Sequence, residues 1–142
     1  MKEDRSGILL VSPDQDLFRN LEAAIGSEFH ISFTTTISSA FDEIAYKLPN
    51  IIICETEIGN ESGYNFCSTI RTGLKTKLIP FIFVSSSGKL NDRIKAIQQG
   101  ADAFLNRPLN MKELTAYIRS KIAQFKEFYE LSVTDELTRL YN

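Results

Sequence analysis

The sequence predicts an α/β domain, a doubly wound five-stranded parallel sheet with helices on both faces and an extended C-terminal helix. Two observations predict it. Short apolar runs recur along the chain, Ile8-Leu9-Leu10-Val11, Ile51-Ile52-Ile53-Cys54 and Phe81-Ile82-Phe83-Val84. Runs without polar alternation suit strands covered on both faces, as in a parallel sheet between helices. Each run is followed by a stretch whose apolar residues recur at helical spacing. Strand then helix, repeated five times with right-handed crossovers, places the functional edge at the strand C-termini.

The elements follow in order. The first strand, Ile8–Val11, leads to a helix over Asp14–Ile25, with Leu17, Phe18, Leu21 and Ile25 on one face and Gly26 as its stop. Phe29–Phe33 alternates and reads as the second strand. Ser38–Leu48 is the second helix, with Phe41, Ile44, Ala45 and Leu48 inward and Pro49 behind it. The third strand, Ile51–Cys54, precedes a short helix over Tyr64–Arg71 that ends near Gly73. The fourth strand, Phe81–Val84, precedes a helix over Asn91–Gln99, with Ile94 and Ile97 inward and Gly100 as its stop. Ala103–Leu105 is the last strand.

The final helix is longer than the sheet requires. From Met111 to Val133 there is no Gly or Pro, and about 23 residues at 1.5 Å each span about 34 Å, overshooting the sheet by about two turns. Leu114, Tyr117 and Ile118 dock on the domain; Ile122, Phe125, Phe128 and Tyr129 continue the stripe. That stripe is either a dimerising surface or a tail folded back over the domain. Seam spacing from Ile118 through Phe125 favours the dimerising reading, although Lys121 interrupts it.

Totals narrow the function classes. A chain of 142 residues holds one domain and a short appendage, and 43% hydrophobic residues with ten Phe build a core. A net charge of −2 with scattered Lys and Arg argues by composition against nucleic acid as a partner. The charged start, MKEDRSG, is no signal peptide, and no run approaches the ~20 apolar residues of a membrane helix. Cys54 and Cys67 lie thirteen positions apart, have no metal-ligand spacing and read as buried hydrophobes. The expected compartment is the cytoplasm. His30 has no ligand partners at useful spacing and reads as structural or solvent-facing. After the first strand, V-S-P-D-Q-D lacks a P-loop, a dinucleotide fingerprint and a flavin-phosphate loop.

Three blocks at the strand ends carry a resemblance. P-N-I-I-I-C-E-T-E-I-G-N-E-S-G-Y closes the third strand, I-P-F-I-F-V-S-S the fourth, and G-A-D-A-F-L-N-R-P-L the fifth. In this order and at these positions they resemble the response regulator receiver family, CheY-like and flavodoxin-like in fold, over residues 6–124. The resemblance implies an acidic pair after the first strand that holds Mg²⁺, a phosphoacceptor Asp, a switch hydroxyl, a switch aromatic and a phosphoryl-binding Lys.

The chain departs from that pattern unevenly. The acidic pair is Ser12 and Pro13, which supply no carboxylate for a hard cation. Asp14 comes one step later, where N-terminal helix capping accounts for it. Glu55 takes the phosphoacceptor position with one methylene too many, and Arg107 takes that of the lysine. Arg offers a planar fork that suits a carboxylate, so Glu55 and Arg107 either form a standing ion pair or both point into water. Ser85 and Phe104 match the switch hydroxyl and switch aromatic. Arg107-Pro108 matches a step often cis in the family. No catalytic set is intact, and neither Mg²⁺ nor another cofactor is expected.

The chain closes on T-D-E-L-T-R-L-Y-N, which resembles the Asp-x-Leu-Thr-x-Leu-x-Asn opening of a GGDEF diguanylate cyclase domain. The GG[D/E]EF loop itself is absent, so this chain is not expected to be an enzyme. The organisation expected is a degenerate receiver over 6–124, a signalling helix over 125–134 and the start of a GGDEF domain over 135–142. The expected partners are a second copy, met through the fourth helix, fifth strand and fifth helix (a face including Asp92, Arg93, Lys95, Lys112 and Arg119), an attached GGDEF domain, and a histidine kinase. Two alternatives stay open: a receiver that still transfers phosphate to itself, and a small-molecule-binding pseudo-receiver.

Overall fold

The computed structural model describes the backbone of residues 5–141 and the side chains of residues 5–128. Its main sheet contains β1 (Gly7–Val11), β2 (His30–Thr34), β3 (Ile51–Glu55), β6 (Phe81–Ser85) and β7 (Ala103–Asn106), all parallel, in the order β2-β1-β3-β6-β7. Between β3 and the next helix a two-stranded ribbon intervenes, β4 (Glu57–Ile58) with β5 (Glu61–Ser62). The helices are α1 (Gln15–Ile25), α2 (Ile37–Tyr46), α3 (Gly63–Thr72), α4 (Leu90–Gln98) and α5 (Met111–Tyr141). The five predicted strands and five predicted helices are all present, so the fold is the doubly wound receiver-type sheet that the sequence implied.

The apolar runs are unbroken because the pleat sends alternate residues to two separate cores. Ile8, Leu10, Ile51, Ile53, Ile82 and Val84 meet α1 and α5 on one face. Leu9, Val11, Ile52, Cys54, Phe81 and Phe83 meet α2, α3 and α4 on the other. On α1, Leu17, Leu21 and Ile25 are buried, and Phe18 stacks on Phe33 with ring centroids 4.7 Å apart.

Several details differ from the sequence expectation. The inward face of α2 is Ile37, Ala40 and Ile44, while Ala45 and Leu48 are exposed and Phe41 only edges onto Phe66 at 5.1 Å. The helix begins at Ile37 behind its Thr36 cap, one residue before the predicted start. On α4, Ile94 and Ile97 face outward and Ala96 alone is buried. A small residue lets α4 lie close to the sheet, and its large apolar residues are left outside. On α5, the domain covers more of the stripe than expected: Leu114, Ile118 and Ile122 are buried, and Phe125 packs on the opposite core.

The helix α5 continues past Val133 to Tyr141 without a break. The side chains of Tyr129 and of residues 135–141 lie outside the described residues, as does Asn142. His30 is exposed, and both cysteines are buried and free. Among the described residues no helix is long and apolar enough to cross a membrane.

A second set of contacts sets the far edge of β6 and β7. Arg71, at the end of α3, donates to the carbonyls of Ile79 at 2.6 Å and Gly100 at 2.8 Å, and pairs with Asp102 at 3.0 Å. Asp102 in turn accepts the Phe81 N–H at 2.8 Å. The Asp of the G-A-D block is therefore a fixture of the fold at the edge opposite the candidate site.

Candidate functional site

Strand register brings the site together. Val11 is level with Cys54, Glu55 with Val84, and Ser85 with Asn106. Residues just past the strand ends, Ser12 and Arg107, therefore join Glu55 and Ser85 at one sheet edge. Arg107 N–H continues the ladder by donating to the Ser85 carbonyl at 2.8 Å. The Arg107–Pro108 bond is cis.

Glu55 is held at the end of β3 by the turn that follows it. Gly63 donates its N–H to the Thr56 carbonyl at 2.9 Å, and a Cβ on Gly63 would lie 2.1 Å from the Glu55 carbonyl oxygen. Only glycine fits there. Gly59 takes φ +62°, which glycine adopts without steric cost, and so closes the β4–β5 ribbon.

Arg107 spans two carboxylates. Its Nη1 donates to Glu55 Oε1 at 2.7 Å and its Nη2 to Glu55 Oε2 at 2.6 Å, while Nη2 also reaches Asp14 Oδ2 at 3.0 Å. Ser12 is fully buried, and its hydroxyl donates to Glu55 Oε2 at 2.5 Å. The same Ser12 oxygen accepts the Asp14 N–H at 3.0 Å. Glu55 is thus held by a guanidinium fork and a hydroxyl, with only 13% of its side chain exposed. The ion pair is the one of the two sequence readings that the structure contains.

Asp14 does more than cap a helix. Its Oδ1 accepts the N–H groups of Asp16 and Leu17, as the capping expectation requires, and its Oδ2 is the one that meets Arg107. Partial burial alone would push its carboxyl up. The Leu17 N–H, followed by the hydrogen bond and charge of Arg107, outweighs that and holds it below the usual value of 3.8. Hydrogen bonding to Glu55, and then to Asp14, raises the pKa of Arg107.

The remaining positions lie outside the Arg107 cluster. Pro13 is exposed. Ser85 is buried, and its hydroxyl oxygen accepts the Ser87 N–H at 3.0 Å, turned to the loop before α4. Phe104 is buried against the core, with the Arg93 guanidinium 5.5 Å from its ring centroid. Sequence reading missed the Ser87–Asp92 hydrogen bond and the Asp14–Arg107 contact. A Ser five residues ahead of an acid in a helix's first turn was a usable sign of the first. Nothing local marks the second, which spans 93 positions.

These residues do not fit Mg²⁺. The two carboxylates that a cation would bridge already share a guanidinium, Ser12 is neutral, and Pro13 offers no side-chain oxygen. Among the described residues no three His, Cys, Asp or Glu side chains converge as a metal site. Beside Glu55 lies a cleft of about 340 Å³ lined by Thr56, Tyr64, Ser85, Ser87 and Asp92. Three of the carboxylate's roughly four acceptor sites are taken by Arg107 and Ser12, so attack on phosphorus would compete with the Arg107 fork.

Comparison with known proteins gives the family and the fold. A family model described as the response regulator receiver domain matches residues 8–119. Response regulator Rre1 of Synechocystis is 27% identical over 119 residues, covering 82% of this chain and 52% of its own length. Response regulator PleD of Caulobacter vibrioides is 28% identical over 120 residues, covering 84% and 26%. The crystal structure of a CheY-like receiver domain protein from Methanospirillum hungatei superimposes with a TM-score of 0.78 at 17% identity, covering 87% of this chain and 98% of that one. The chain spans about half the length of curated relatives such as Rre1.

Proposed function

Because this chain belongs to the response regulator receiver domain family, we propose that it is a signal-input module whose phosphorylation pocket is held shut by an internal cation. The observation that carries this reading is the Arg107 fork on Glu55, with Asp14 as its second anchor. In this reading the domain acts by assembly and not by aspartyl phosphorylation. The output it regulates is an attached diguanylate cyclase, a reading supported by the D-E-L-T-R-L-Y-N sequence over 135–142. Such an output needs two chains to bring two nucleotides together, so an input domain that pairs can control it by geometry.

The pairing surface in this reading is the α4–β7–α5 face. Leu90, Ile94 and Ile97 recur at helical spacing along α4, and Leu90 and Ile97 are 68% and 64% exposed. An apolar stripe of this kind fits a partner helix. A groove of about 510 Å³ lies beside it, between Ile97 on α4 and Tyr117 on α5. Arg119 does not belong to this face, because it pairs with Glu28 at 2.8 Å on the α1 side.

The test is incubation with a small phosphodonor and Mg²⁺, followed by intact mass. The expected mass is unchanged. A stoichiometric phosphoryl adduct would overturn the reading in favour of an active receiver.

A further inference from the structure

At the sheet edge opposite Glu55, before β3 and β6, an apolar groove of about 650 Å³ runs alongside α5. Its walls are Leu48, Leu74, Leu78, Phe125 and Phe128. Leu74 is 89% exposed, and Leu78 and Phe128 are 56% exposed. A groove of about 190 Å³ adjoins it across Leu78, Phe125 and Phe128, so the two form one trough. Large apolar side chains this open on one surface cost free energy in water and mark a contact surface.

The charges around the trough select the partner. Lys75 and Lys126 line the larger groove and Lys121 the smaller. The acid among the described lining residues is Asp102, and Arg71 already pairs with it at 3.0 Å. Lys75 and Lys126 are exposed, and among the described residues neither stands in an ion pair. In a chain of net charge −2, this end is locally basic.

We propose that the trough receives an acidic amphipathic helix from a partner protein. Apolar residues at i, i+3, i+4 and i+7 of that helix seat among Leu74, Leu78 and Phe128, and carboxylates on its flanks meet Lys75 and Lys126. A helix fits better than an extended peptide. The trough lies at the tips of β3 and β6, which are inner strands, so no free strand edge borders it. An extended peptide would bury backbone groups there without partners, whereas a helix satisfies its own. A second copy meeting this surface groove to groove would set Lys75 and Lys126 against the same lysines. A flat bilayer is kept off by α5, whose backbone runs on past Phe128 for ~20 Å to Tyr141.

The larger groove shares no lining residue with the groove beside α4, and Glu55 and Arg107 lie at the other sheet edge. The assignment therefore holds whether or not the domain pairs through α4.

The test is fluorescence anisotropy with the full 142-residue chain. The probe is a labelled synthetic peptide of about 18 residues, long enough to hold a helix, with one Leu face and Glu on both flanks. Its counterpart carries Lys in place of Glu. The Glu peptide is expected to bind saturably below ~1 mM, about tenfold tighter than the Lys peptide, and more weakly as salt rises. Lys75→Glu with Lys126→Glu should reverse that preference. Leu74→Ser with Phe128→Ser should abolish binding of both peptides. All four side chains are exposed, and circular dichroism checks that each variant is folded.

Equal binding of the two peptides, binding of neither, or an unreversed preference in the charge variant would overturn the assignment. Flotation of the wild type with phosphatidylserine vesicles, lost in the charge variant, would overturn it in favour of a bilayer. Self-association lost in Leu74→Ser with Phe128→Ser but kept in Ile94→Asp would overturn it in favour of a second copy.

Discussion

Arg107 grips Glu55 with both terminal nitrogens, at 2.7 and 2.6 Å, from a position 52 residues away in sequence. A bidentate guanidinium–carboxylate pair is directional and charge-assisted, and here it joins the end of β3 to the end of β7. In a phosphorylatable site the same two positions must stay open to an incoming phosphoryl group. In this chain they satisfy each other.

Removing the cation leaves two carboxylates with little to replace it. Arg107→Ala is expected to lower unfolding free energy by ~1–3 kcal/mol, toward the lower end because the Asp14 side chain is partly exposed. Arg107→Lys should lose less, since it keeps the charge but not the fork. Urea unfolding of the two variants measures this, and equal stabilities would mean that the fork contributes nothing beyond charge.

Restoring the family pattern should restore the chemistry. The combination of Ser12→Asp, Pro13→Asp, Glu55→Asp and Arg107→Lys replaces the standing ion pair with a carboxylate cluster suited to Mg²⁺. Intact mass after a small phosphodonor and Mg²⁺ should show one phosphoryl group on this variant. Glu55→Asp alone should show none, because Arg107 and the missing acids remain as they are.

Much of this was legible in the sequence, for identifiable reasons. The strands of the main sheet announced themselves because both faces are covered, so Ile51–Cys54 and Phe81–Val84 needed no polar alternation. The pocket's altered positions, Ser12, Pro13, Glu55 and Arg107, were legible only through the resemblance to the receiver family. The inward face of α4 did not. An apolar residue at helical spacing is equally consistent with core or contact surface, and Ala96, the residue that packs, carries the weakest signal. The double role of Asp14 was hidden for a different reason. A capping Asp uses one oxygen on its own helix, and sequence does not say where the other points.

Gly63 is a position where a single methyl group should be felt. Its missing Cβ would meet the Glu55 carbonyl oxygen at 2.1 Å, a backbone atom that cannot rotate away. Gly63→Ala should therefore destabilise the domain by ~1–3 kcal/mol and displace Glu55 from Arg107. Thermal unfolding checks the first effect. If Gly63→Ala unfolds like the wild type, the close approach is not a constraint in solution.

Acid should loosen the site in a defined direction. The folded carboxyl of Asp14 lies below its ordinary value of 3.8, so its ionised form stabilises the fold. That contribution is complete above the ordinary value and is lost as pH falls through the lower folded value. Comparing wild type with Asp14→Asn over an acid series should show the difference in stability shrinking as pH falls. A difference that grows on acidification would contradict the pairing of Asp14 with Arg107.

The ion pair also bears on assembly. Arg107 directly follows β7, and the residues next to it, Asn106 and Pro108, line the groove beside α4. Releasing Arg107 therefore loosens the segment that carries the proposed α4–β7–α5 face. Glu55→Gln removes the charge that holds the fork but keeps the side chain's shape and leaves Asp14 in place. If the standing pair favours the associated state, this variant should sediment closer to monomer than the wild type at equal concentration. The shift is bounded by the difference in the pair's strength between the two states, because only a differential interaction moves an equilibrium. Unchanged sedimentation would separate the closed pocket from the assembly and leave Glu55 as a structural residue alone.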